Sequence, residues 1–229
     1  MRKTLFLAFF LLILAIEGRS QSDSGTIGTL TAYVVPFTWV DVNPRLRLGM
    51  EYHTHNHMGY SLEIGWGNNQ LNHARLENVV WGEDYSFFEI RPEVKWYRKE
   101  EKQFNLYWGA EMFYQQMTDR LENLYFYPKN STLTVYYDEA TFSKTKMGVQ
   151  AKAGIKFLVW KRVTLDFYEG IGLAYRQNTY SNLTNPIVSE DAPVEEWWDS
   201  PYKNEGPFLL LQISLGVRVG YVIGRSIDN

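Results

Sequence analysis

Three of the chain's four histidines sit in one stretch, His53-Thr54-His55-Asn56-His57. On an extended backbone, side chains two apart point to the same side, so His53, His55 and His57 could converge on a metal ion as imidazole ligands. The polar residues between them suit a turn instead, and a turn need not keep three side chains on one face. The expectation is a polar turn, with no metal and no cofactor assigned. The fourth histidine, His73, has Glu77 four residues on and Ser86 beyond. A serine-histidine-acid triad is defined by geometry and not by spacing, so no catalytic residue is assigned either. The absence of cysteine excludes disulfides, thiolate metal sites and a lipid-modified N-terminal cysteine. No phosphate-binding loop, dinucleotide fingerprint or zinc signature occurs. A net charge of -3 gives no electrostatic footprint for a nucleic-acid partner.

The other chemistry-bearing residues are charges, and they recur every second position. Glu89, Arg91, Glu93 and Lys95 alternate with Phe88, Ile90, Val94 and Trp96. Lys146, Gly148, Gln150, Lys152, Gly154 and Lys156 alternate with Met147, Val149, Ala151, Ala153, Ile155 and Phe157. Near the end, Ser214, Gly216, Arg218 and Gly220 alternate with Ile213, Leu215, Val217, Val219 and Tyr221. A period of two is that of β-strands with two unlike faces. The spacing predicts about eight strands: Gly28 to Val40, Arg45 to Tyr52, Tyr60 to Trp66, Ser86 to Lys99, Phe104 to Thr118, Thr145 to Trp160, Val163 to Tyr180 and Phe208 to Ile223.

Periodicity leaves the direction of the two faces open. A soluble barrel of the lipocalin type would place the apolar face inside, whereas a membrane barrel would place it outside. The glycines favour the second arrangement. Gly49, Gly65, Gly109, Gly148, Gly154, Gly170, Gly172, Gly216 and Gly220 all fall on the charged face. Strand glycines weaken a solvent face, but a narrow interior needs small residues where walls and large side chains crowd. The expected interior therefore carries Arg47, Glu51, Glu63, Glu89, Arg91, Glu93, Lys95, Glu111, Lys146, Lys152, Lys156, Asp166 and Arg218, ion-paired across a largely plugged lumen. Glu169 breaks the pattern, because alternation puts it among the apolar residues Leu165, Phe167, Ile171 and Leu173; a bulge, or a place beyond the hydrocarbon, would accommodate it. Among 229 residues, 16 Tyr and 8 Trp suit aromatic belts at two membrane interfaces.

Two features frame this all-β domain. Met1-Arg2-Lys3 followed by the apolar run Leu5 to Ile16 has the form of a signal peptide, with cleavage expected near Ser20-Gln21 and residues 21–229 as one barrel domain. From the third strand on, long and short connections alternate, as external loops and periplasmic turns do. Gly67 to Tyr85, Asp119 to Lys144 and Ser181 to Pro207 are the long connections, and Tyr125, Phe126, Tyr136, Tyr137, Trp197 and Trp198 in the last two are possible contacts for a partner.

The signal peptide, the eight-strand pattern and the closing segment Leu215-Gly216-Val217-Arg218-Val219-Gly220-Tyr221 resemble the small outer-membrane barrels of the OmpA transmembrane domain and OmpX type. Arg47-Leu48-Gly49-Met50-Glu51-Tyr52 and Tyr60-Ser61-Leu62-Glu63-Ile64-Gly65-Trp66 look closest to an early hairpin of barrel proteins from Bacteroidetes-type bacteria. The resemblance implies a transmembrane antiparallel up-and-down β-barrel in a Gram-negative outer membrane. Its partners would be outer-membrane lipid, lipopolysaccharide and the barrel assembly machinery, with a monomeric state and no catalytic residues. Some barrels of this kind modify lipid A with a histidine and a serine or acid near the outer rim. That activity, around His73, is the main alternative, beside a small-solute channel and a soluble periplasmic carrier.

Overall fold

The computed structural model describes residues 28–39, 43–54, 57–71, 84–98, 104–129, 131–160, 162–190 and 203–223. The expected signal peptide, His55, His73, Glu77, Trp197 and Trp198 lie outside them. The described chain is one antiparallel sheet of nine strands: β1 (Thr29–Val34), β2 (Leu46–His53), β3 (Met58–Asn68), β4 (Ser86–Tyr97), β5 (Phe104–Phe126), β6 (Thr134–Leu158), β7 (Val163–Thr184), β8 (Ile187–Ser189) and β9 (Gly206–Ile223). Neighbours pair in the order β5-β4-β3-β2-β1-β9-β7-β6-β8, and a further β5–β6 pairing closes the sheet into a ring of eight strands, with β8 laid beside the end of β6.

The register defines the shape of this ring. Starting at Val219 and stepping through directly opposed partners leads to Val34, Leu48, Ile64, Ile90, Tyr114, Met147, Tyr175 and then Leu209, ten residues from the start on the same strand. Eight strands with that stagger tilt by roughly 35–45° and enclose a space just wide enough for side chains to fill. Every residue on the circuit is apolar or aromatic. The same holds along the strands: in β3, Tyr60, Leu62, Ile64 and Trp66 are exposed while Gly59, Ser61, Glu63 and Gly65 are buried. Closure is thus what separates the two faces, because every inward position of a two-faced sheet loses its solvent at once.

Three differences from the sequence-based expectation have identifiable causes. The first strand ends at Val34 instead of Val40, because Pro36 cannot donate to the ladder and opens a short 3-10 turn, Pro36–Trp39. The segment Asp119 to Lys144 is no long loop: β5 runs on to Phe126 and β6 begins at Thr134, and the two remain paired through Phe126 and Val135. β7 likewise reaches Thr184. These extensions are rich in Thr, Tyr and charged residues, which conceals the strand from an apolar-alternation criterion although the Thr and Tyr have high β-propensity.

Inside the ring, glycines receive tyrosine rings from neighbouring strands. Tyr33 covers Gly49, Tyr107 covers Gly154 and Tyr168 covers Gly216; a Cβ at any of the three would fall within the ring or on its hydroxyl. Gly216→Ala is therefore expected to lower stability by about 1–3 kcal/mol through overpacking. Equilibrium unfolding by urea would measure it, and a Tyr168→Leu background should remove most of the loss.

Candidate functional site

The interior is occupied by a single connected network of ion pairs. Arg218 on β9 is its hub. Its Nη2 lies 2.6 Å from Glu93 Oε2 and 2.7 Å from Glu63 Oε1, and its Nη1 lies 3.1 Å from Asp166 Oδ2. Glu93 belongs to β4, four strands away around the ring, so this contact spans the full width of the interior. From Asp166 the network runs toward the chain ends through Lys95 (3.0 Å), Glu51 (2.6 Å from Lys95) and Lys156 (2.8 Å from Glu51). From Glu93 it runs the other way through Lys152 (3.2 Å), Glu111 (2.8 Å from Lys152), Arg91 (2.6 Å), Glu89 (3.2 Å) and Arg45 (2.6 Å). Arg47 joins at Glu63, 3.1 Å away.

Seven cations face six carboxylates in this network, so the network itself is nearly neutral. Tyrosines supply the remaining contacts. Tyr97 donates to Glu51 at 2.6 Å, Tyr107 donates to Asp166 at 2.8 Å, and the Arg47 guanidinium donates to the Tyr168 hydroxyl at 2.7 Å. The same rings lie under cations: Lys152 Nζ is 4.0 Å from the Tyr168 centroid and Lys95 Nζ is 4.5 Å from that of Tyr107. Such cation–π contacts strengthen where water is excluded.

Of the residues expected to line the interior, Arg47, Glu51, Glu63, Glu89, Arg91, Glu93, Lys95, Glu111, Lys152, Asp166 and Arg218 are buried there. Lys156 and Lys146 are half-buried, the latter donating to Gln212 at 2.6 Å. Sequence reasoning missed Arg45 and the tyrosines at 33, 97, 107 and 168. Arg45 shares parity with Arg47 and Glu51, and Tyr97, Tyr107 and Tyr168 share parity with charged residues of their strands, which was the available signal, but a tyrosine counts as apolar in a pattern search; Tyr33 shares parity with threonines, on a strand without charge.

Glu63, Glu93 and Glu111 bring carboxylate oxygens within 4.8 Å of one another, the spacing of a metal site. Arg218, Lys152, Arg91 and Arg47 already neutralise all three, and these fixed cations repel a metal ion. The histidines form no such group among the described residues. His53 faces inward at the end of β2 with its ring 4.5 Å from that of Tyr97, and His57 is exposed in the following turn at φ 58°.

Beyond the charged zone, toward the long-loop end, the interior turns apolar. Phe87, Met117, Leu121, Phe126, Tyr137, Phe142 and Tyr180 form one buried cluster, with Phe126 and Tyr180 stacked at 4.2 Å. Burial pushes the Tyr137 hydroxyl above its ordinary pKa. Phe126 and Tyr137, expected as loop contacts, are thus strand residues turned inward, out of reach of a partner. Tyr125 and Tyr136 remain half-buried on the opposite face, with ring centroids 5.5 Å apart, and Lys203 donates to Tyr125.

Chemically, this arrangement is a buried ionic filling in which each carboxylate is held by cations, and the Ser61 hydroxyl donates to Glu93 at 3.3 Å. No family model, curated protein or solved structure matches the chain.

Replacing the hub alone would leave Glu63, Glu93 and Asp166 short of a partner in a water-poor interior. Arg218→Met should cost about 3–5 kcal/mol, the range for breaking a buried ion pair from one side. Adding Glu93→Gln should recover part of that loss, and a double-mutant cycle of unfolding free energies would show whether it does.

Proposed function

We propose that the chain is an outer-membrane protein of a Gram-negative bacterium, exported by its N-terminal signal and embedded as a transmembrane up-and-down antiparallel barrel. One observation carries this reading: the polarity of the ring is inverted relative to a protein that faces water. Leu215 is 78% exposed on the outer face while Glu63 is 1% exposed inside. Leu209, Leu211, Ile213, Met112 and Trp108 are also well exposed, so the apolar surface continues around the ring and far exceeds the patch of a few hundred square ångströms usual on a soluble monomer. Hydrocarbon would cover that belt, and a closed sheet leaves no backbone edge unpaired within it. Lipid and lipopolysaccharide are the partners this implies, with the barrel assembly machinery acting during insertion.

Within that setting the role is structural or surface-binding and not enzymatic. Ion pairs fill the lower interior and the aromatic cluster fills the upper part, which argues against a small-solute channel. A lipocalin-like carrier needs an apolar interior cavity, and the filling here is ionic. The extended ends of β5, β6 and β7 would stand clear of the bilayer, presenting Tyr125, Tyr136 and the exposed Ile187 and Val188 of β8 to the outside. A lipid A modifying enzyme is the alternative class; it would need a catalytic group near the outer rim.

Three measurements test the proposal. The detergent-extracted protein should fractionate with the outer membrane and shift in gel mobility on boiling; a soluble periplasmic protein without a shift would overturn it. Reconstituted in a planar bilayer it should give no sustained conductance steps, and unaltered lipid A in cells overproducing it would separate the structural reading from the enzymatic one.

A further inference from the structure

Among the described outward positions in the eight-stranded part of the ring, Glu169 is the one charged residue. It is the middle of seven successive outward residues of β7, between Val163, Leu165 and Phe167 on one side and Ile171, Leu173 and Tyr175 on the other. A bulge, one of the two ways of accommodating it, is absent, since β7 pairs continuously with β6 from Ser181 to Thr164 and with β9 from Asn178 to Val163. Glu169 is exposed, makes no hydrogen bond or ion pair among the described residues, and borders a groove of about 790 Å³ on the outer face. In a membrane-embedded barrel, a carboxyl group so placed faces hydrocarbon, where it must find a partner.

Building on the membrane reading, we propose that the partner is Glu169 of a second copy, and that the protein forms a two-fold dimer through β6, β7 and β9. All copies insert in the same direction, so a two-fold axis must run along the membrane normal and bring residues of equal depth together. The outward residues around Glu169 are apolar, so its own counterpart is the group at that depth that can both donate and accept a hydrogen bond. Two carboxyl groups meeting in this way satisfy each other.

The flanks of Glu169 complement one another under the same operation. In one register row, Trp108, Ala153, Glu169 and Leu215 follow on β5, β6, β7 and β9. Leu215, the most exposed of the large apolar side chains, thus lies one strand to one side of Glu169, and small residues lie one strand to the other. The two-fold exchanges the sides. The strands lean as they rise, so Phe167, the next outward residue below Glu169 on β7, shifts toward the β9 side; Phe167 of one copy then faces Ala153 of the other, and Leu215 packs beside Ile171. Knob and hollow coincide, and small residues let the two walls approach.

The chain has no cysteine, so introduced ones report contacts directly. Ile213→Cys, which the same stagger places beside the axis above Glu169, should give an oxidised dimer in native outer membranes, and Leu62→Cys, on β3 across the ring, should not. Glu169→Leu should lower the cross-linked fraction about tenfold while leaving heat-modifiability intact, and Glu169→Gln should retain much of it, because an amide pair can also donate and accept. An inserted, heat-modifiable protein that stays uncross-linked, or that cross-links equally with Leu at 169, would overturn the dimer alone. Loss of the dimer on Arg98→Gln, at the end of the same groove, with Glu169→Leu silent would overturn the carboxyl pairing. Recovery in the soluble fraction without a mobility shift would overturn the membrane reading itself.

Discussion

The contact between Arg218 and Glu93 crosses the whole interior, and the rest of the structure is arranged around the need to make such contacts possible. A guanidinium removed from water is tolerated only when carboxylates surround it. Here three do, contributed by β3, β4 and β7, so one residue of the last strand ties together parts of the sheet far apart in sequence. Ion pairs of this kind add little net stability compared with a well-packed apolar filling. What they supply is selectivity of register. A slip of one residue in any strand that carries these charges would turn them outward and leave their partners buried and unpaired.

The glycines and tyrosines follow from the same requirement. A ring of eight strands with a stagger of ten residues leaves an interior only as wide as the side chains that cross it. Arginine and lysine stems fit because Gly49, Gly154 and Gly216 allow tyrosine rings to lie flat against the wall, and those rings then solvate the cations from their faces. Toward the long-loop end the requirement relaxes, charge gives way to the cluster around Phe126 and Tyr180, and the filling becomes that of an ordinary apolar core. The two fillings meet at Phe87, whose ring lies under the Arg45 guanidinium at 5.1 Å.

The outer face answers to a different constraint, and this is why Glu169 stands apart. An exposed glutamate in water needs no account. On a face where every neighbouring outward residue is apolar, and in a strand whose pairing is unbroken, it does. Its surroundings of Ala151, Ala153 and Leu215 give it a shaped setting that the mid-strand residues of β3, with their even run of bulky side chains, lack.

The eight strands of the ring, the two unlike faces and the identity of most interior charges were legible in the sequence, because a period of two is a local property that each strand carries independently; the short ninth strand, β8, was not. Parity sorted Glu89 from Ile90 and Lys152 from Ala153 with no knowledge of neighbours. The extensions of β5 and β6 past Thr118 were not legible, since polar strand residues resemble loop residues until a partner strand is seen beside them. Nor were the ion pairs. Which carboxylate meets Arg218 depends on the stagger with which the ring closes, and closure couples residues as distant as Arg218 and Glu63 through every strand pairing that lies between them. Local periodicity decides which way a side chain points, and only the closed tertiary structure decides what it points at.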